Sequence, residues 1–143
     1  MKLPLLTSAV LAATLGLVTP TLTNAANPTA RTYQPGYWQP VARVQNPNQP
    51  VQIKLVNQTG LPLQYGLTSG QGGIRELPVG ASGVLSNTSL PDYLLVNALQ
   101  PRVKLRYDIA VDGNVATVQV YQVEAGASDI TLNFDQSGAI YVY

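Results

Sequence analysis

From Val51 onward apolar side chains recur with a period of two in segments separated by turns, and no stretch after Ala26 sustains a 3.6-residue period. A period of two places alternate side chains on opposite faces of an extended chain, so the pattern restricts this region to half-buried strands. Val51, Ile53 and Leu55 alternate with Gln52 and Lys54, and Leu61, Leu63, Tyr65 and Leu67 resume after a predicted turn at Asn57-Gln58-Thr59-Gly60. A flexible loop is expected at Ser69-Gly70-Gln71-Gly72-Gly73. Shorter strands follow near residues 74–77 and 84–86, separated by Gly80-Ala81-Ser82-Gly83. Tyr93 to Leu99 reads as apolar on both faces, as expected of a strand buried mid-domain.

The clearest element is a hairpin over residues 102–123. Val103, Leu105, Tyr107, Ile109 and Val111 share one face, while Arg102, Lys104, Arg106, Asp108 and Asp112 share the other. Asp112-Gly113-Asn114 is tight-turn chemistry, because Gly and Asn tolerate positive φ. The return strand then puts Ala116, Val118 and Val120 inside, in agreement with either two-residue loop. A last hairpin turns at Asp135-Gln136-Ser137-Gly138, with Asp and Gly where a type I turn wants them. Together these signals predict seven to nine short strands at the spacing of a sandwich. The expected fold is a single antiparallel β-sandwich over residues 51–143, immunoglobulin-like or jelly-roll-like, carrying a Pro-rich N-terminal arm.

That arm is residues 26–50, which hold five of the eleven prolines and no acid. Proline at this density removes backbone donors and favours extended chain. Q-N-P-N-Q-P before Val51 marks the expected domain boundary. Ahead of the arm, Met1-Lys2, a mostly apolar run over residues 3–18 and Thr23-Asn24-Ala25 have the layout of a secretory signal peptide. Cleavage is expected after Ala25 or Ala26, leaving a periplasmic or extracellular chain with no transmembrane span.

Composition removes several classes of chemistry. With no Cys there is no disulfide scaffold, thiol nucleophile or thiolate metal site, and with no His there is no Ser-His-Asp triad or imidazole ligand. No cofactor or metal is expected. Without Lys2, seven basic residues face seven acids, so the exported chain is close to neutral. Nucleic acid and anionic lipid need clustered positive charge and are not expected as partners.

The candidate contact residues are Tyr33, Tyr37 and Trp38, in Y-Q-P-G-Y-W-Q-P, and the basic stripe Arg102, Lys104 and Arg106. Aromatic rings among prolines suit stacking on sugars or presentation to a partner's groove, and otherwise pack back on the domain. The stripe suits an acidic polysaccharide, or is a solvated strand face that discourages edge pairing. Asp108, Asp112 and Asn114 lack calcium-loop spacing and are explained by the turn. A glycosidase needs two acids about 5–9.5 Å apart, and sequence offers no way to pair Glu76, Asp92 or Glu124. Asn57-Gln58-Thr59 and Asn87-Thr88-Ser89 match the N-glycosylation pattern and also serve turns.

The ending A-I-Y-V-Y is similar to the aromatic last strand of outer-membrane barrels, but eight strands of about 9–11 residues need more chain than 51–143 provides. Pilus subunits joined by donor-strand exchange resemble this chain in their N-terminal extension and a Tyr near the C-terminus, although Pro47 and Pro50 would interrupt the ladder. The sequence therefore points to a non-enzymatic, exported binding or envelope-associated domain, with an envelope polysaccharide or protein as the partner class. A surface-assembly subunit joined by strand edges is the alternative, and a carboxylate-only hydrolase stands third.

Overall fold

A computed structural model describes residues 38–143, so Tyr33, Tyr37 and the signal-peptide pattern expected over residues 1–25 lie outside the described residues. Ten strands follow in order: β1 (Ala42–Arg43), β2 (Val51–Asn57), β3 (Leu63–Leu67), β4 (Arg75–Leu77), β5 (Ser82–Thr88), β6 (Asp92–Ala98), β7 (Lys104–Asp112), β8 (Val115–Val123), β9 (Thr131–Phe134) and β10 (Ala139–Val142). They form a six-stranded sheet, β1-β10-β9-β6-β3-β4, packed on a four-stranded sheet, β5-β2-β8-β7. The all-β sandwich is thus the fold, with no helix among the described residues.

Alternation accounts for the core. Val51, Ile53 and Leu55 of β2, Leu63 and Tyr65 of β3, Leu94 and Val96 of β6, Ala116, Val118 and Val120 of β8, and Leu132 and Phe134 of β9 are all buried between the sheets. Their neighbours in sequence face outward, as the pleat requires.

The β7–β8 hairpin closes on Gly113-Asn114, with Asp112 opposite Val115. Gly113 has φ +58° and Asn114 does not take positive φ, which is the type II′ pattern. The last turn matches its expectation, with Gly138 N–H donating to Asp135 O at 2.8 Å and Ser137 N–H to Asp135 Oδ2 at 2.9 Å.

Four features depart from the sequence reading. The pairing of β2 with β8 is parallel, while the other strand pairs are antiparallel. Part of the expected arm packs with the sandwich: β1 pairs with β10, and Val44 is buried beside Gly138. The Q-N-P-N-Q-P segment is held by the hairpin turn, because Asn114 donates from Nδ2 to Asn46 O (2.7 Å) and accepts from Asn46 N–H (2.8 Å). The fourth departure is β6, which has one buried face only: Leu94 and Val96 point inward, whereas Tyr93 and Leu95 are exposed.

Edges of a sandwich are sites of unwanted pairing, and here they are short or covered. β1 and β4 have two and three residues. On β5, Arg75 Nη1 donates to Val84 O (2.9 Å) and Gln71 Nε2 to Asn87 O (2.9 Å). On β7, Leu105 N–H donates to Ser128 Oγ (3.0 Å) and Tyr107 N–H to Asp129 Oδ2 (2.9 Å). Asp129 N–H returns a bond to Leu105 O at 2.8 Å.

Candidate functional site

The residues singled out in the sequence fall on different sheets. Trp38 is 79% exposed and precedes β1, which runs antiparallel to β10. The chain therefore approaches β1 from the end of β10 that carries Tyr141 and Tyr143. Lys104 and Arg106 lie on the outer face of the four-stranded sheet, opposite Val123 and Tyr121. Arg102 is not on that strand: it occupies the preceding turn with φ +63°. Arg106 is half-buried, and its Nε is enclosed without a hydrogen-bond partner.

The acids are tied to local structure. The buried Asp92 carboxylate accepts from Ser69 Oγ (2.6 Å), Ser69 N–H (3.2 Å), Thr68 Oγ1 (3.1 Å) and Tyr93 N–H (2.8 Å). It thereby anchors the start of the 69–73 loop at Ser69. Glu76 lies on β4, at the edge of the six-stranded sheet, and Glu124 follows β8 of the other sheet; both are exposed. Among the described residues no cluster of three or more metal-capable side chains occurs. Asp135 is held below the usual carboxylate range, first by the Ser137 hydroxyl and then by backbone N–H groups of the turn. Tyr107 is pushed above the usual phenol range by burial, with the Asp129 carboxylate adding to it.

Asn57 is not an accessible acceptor for glycosylation. It is buried, and Nδ2 donates to Leu61 O (2.8 Å), Leu77 O (3.0 Å) and Pro78 O (3.1 Å), while Oδ1 accepts from Thr59 N–H (2.9 Å) and Thr59 Oγ1 (2.6 Å).

The surface that stands out is the outer face of the six-stranded sheet. Register sets its layout in rows across the strands. Tyr141, Asn133 and Tyr93 form one row; Thr131, Leu95 and Gly66 form the next; Asn97, Gln64 and Glu76 form a third. Tyr93 and Leu95 are 44% and 36% exposed, and Tyr143 is 42% exposed. The Tyr141 and Tyr143 rings lie 6.5 Å apart and within 19° of parallel.

A shallow pocket of about 170 Å³ adjoins Leu95, between Gly66 and Ile74. It exists because residue 66 has no side chain: a Cβ there would meet Gly73 O at 3.2 Å and Ile74 Cα at 3.5 Å. Ile74 stands at the far end of the Asp92-pinned loop and is 80% exposed. The Gln64, Asn97 and Asn133 amides have no hydrogen-bond partner among the described residues.

Chemically, this arrangement offers ring faces and apolar side chains for contact, with amides as both donors and acceptors. In the sequence the face is hidden, because Tyr93, Leu95 and Asn97 read as one side of a buried strand, whereas Tyr93 and Leu95 are exposed. The same two-residue spacing in Tyr141 and Tyr143 was the available signal. In comparisons with known proteins, no family model, curated protein or solved structure matches this chain.

Proposed function

We propose that this chain is an exported, non-enzymatic binding domain whose contact surface is the outer face of the six-stranded sheet, with Trp38 exposed ahead of β1. The observation that carries the reading is an exposed group of Tyr93, Leu95, Tyr143 and Ile74 beside the half-buried Tyr141, interspersed with amides that have no partner among the described residues. Apolar surface gathered on one face, rather than scattered singly, is the mark of an interaction site. A non-catalytic role is supported by the lack of His and Cys and by the structural employment of Asp92. Export rests on the leader pattern of residues 1–25. The alternative of subunits joined by strand-edge pairing has less support, because Ser128, Asp129, Gln71 and Arg75 cover backbone groups of both long edges.

The test is capture from a native envelope extract by the full chain and by its Tyr93→Ala, Tyr143→Ala double variant. The expected result is loss of the captured material in the variant, with its melting temperature unchanged. Equal capture by both proteins would remove the face from consideration. For export, the mass of the protein recovered from the envelope fraction should correspond to a start at residue 26 or 27.

A further inference from the structure

We infer that the ligand of this face is an uncharged polysaccharide, an inference that rests on the proposed binding role and names the chemistry it serves. The first argument is charge. Across β10, β9, β6 and β3 the only carboxylate or basic side chain is Asp92, which is buried and accepts from the Thr68 and Ser69 hydroxyls and the Ser69 N–H. Arg43 stands at one margin, where it donates to Ser137 O at 2.9 Å, and Glu76 stands at the other. A uronate, sulfate or phosphate polymer would find no counter-charge on this surface and would gain nothing from desolvation here.

The second argument is the mixture of groups. A purely apolar ligand would cover Gln64, Asn97 and Asn133 and leave their amides without partners, which is costly. Sugar units avoid that penalty. Their C–H faces lie on aromatic rings, and their hydroxyls both donate to and accept from amides. Near-parallel Tyr141 and Tyr143 rings present repeated contacts of one orientation, which suits a repeating ligand.

The third argument is extent. From β10 across β9 and β6 to β3 is three strand spacings, roughly 14 Å at about 4.8 Å each. That run is long enough for several sugar units lying across the strands, and it ends at the 170 Å³ pocket beside Gly66, which suits a side branch or chain end.

The experiment is affinity electrophoresis of the full chain through gels containing hydroxyethylcellulose, mixed-linkage β-glucan or galactomannan, with alginate as the acidic comparison, at low and high NaCl. Retardation by at least one neutral polymer, unchanged by salt, is expected. Tyr93→Ala should weaken it about ten-fold, the loss of one aromatic contact. Lys54→Gln, on the opposite face, should leave it unchanged. Far-UV circular dichroism melts confirm that each variant is folded.

Failure of every neutral polymer to retard the chain would overturn the ligand class. If Tyr93→Ala still abolished capture from the envelope extract, the binding face itself would stand, with a protein as its partner. Retardation by alginate alone, lost in salt, would overturn the inference and shift attention to Lys104 and Arg106. Self-association of the full chain in sedimentation, abolished by Tyr93→Ala, would assign the face to a second copy and likewise overturn it.

Discussion

Replacing Asn57 by Ala should be among the most damaging single changes in this domain, although none of its hydrogen bonds is to a residue of the proposed contact face. Its amide joins the end of β2 to the start of β3 and to the turn after β4, through Leu61, Leu77 and Pro78 carbonyls at 2.8–3.1 Å. Its oxygen accepts from Thr59 N–H and Thr59 Oγ1. Two donor hydrogens and two accepted bonds amount to about four hydrogen bonds, each worth about 1 kcal/mol net. Ala would leave the Thr59 amide buried without its acceptor and take the side-chain donor from the Leu61, Leu77 and Pro78 carbonyls, so we expect a loss of ~3–5 kcal/mol. Against a total stability of about 5–15 kcal/mol, that is a large share. The melting temperature should fall by roughly 15–30 °C for a domain of this size. Urea unfolding followed by far-UV circular dichroism measures it, with an unchanged slope indicating that the compactness of the two end states is preserved. A loss below about 1 kcal/mol would refute the view that this network, rather than the surrounding apolar core alone, ties the three segments together.

Three further outcomes follow from the same structure. Gly83→Ala would drive a Cβ into Tyr65 Oη and place it 2.7 Å from Cζ, so it should cost ~2–3 kcal/mol, with partial recovery in combination with Tyr65→Phe; thermal melts of the single and double variants decide. The pair Ser128→Ala, Asp129→Ala strips acceptors from Leu105 and Tyr107 on the long β7 edge and should produce concentration-dependent oligomers by light scattering, where a strictly monomeric variant would count against edge capping. Tyr107 titrates above its ordinary value in the folded state, so its contribution is fully present below about pH 10, where the unfolded chain still keeps the proton, and is lost as pH rises through the folded value. Stability should therefore decline on alkalinisation, and Tyr107→Phe should flatten that decline in urea titrations at successive pH values.

Elements with a strong local signal were legible in the sequence. The β7–β8 hairpin was readable because alternation and turn chemistry at Gly113-Asn114 agree on one register, and the Asp135–Gly138 turn because its side-chain and backbone bonds are all local. What escaped was non-local. The parallel β2–β8 pairing has no signature in either strand, and β1 is two residues between prolines that ordinarily argue for linker. Tyr93 and Leu95 misled because an apolar side chain looks the same whether it meets a core or a ligand. Asn57 reads as turn chemistry, but its buried bonds reach Leu77 and Pro78, which no local pattern announces. The contact face is harder still, since Tyr141, Asn133, Tyr93, Leu95 and Gly66 become neighbours only through the register of four strands.

The β2–β8 pairing also sets the order in which the chain can become native. β2 sits inside its sheet, and one of its neighbours, β5, is close behind it in sequence, but the other aligns Gln52 with Val115. At the opposite sheet, Ala42 waits for Ile140. Neither sheet can be completed from its early strands, so closure of distant segments precedes most of the stabilising contact. Chains with such non-local pairing fold on the slow scale of roughly milliseconds to seconds. A nascent chain of this topology can complete neither sheet until its last strands have emerged, so the early strands wait with their pairing groups open.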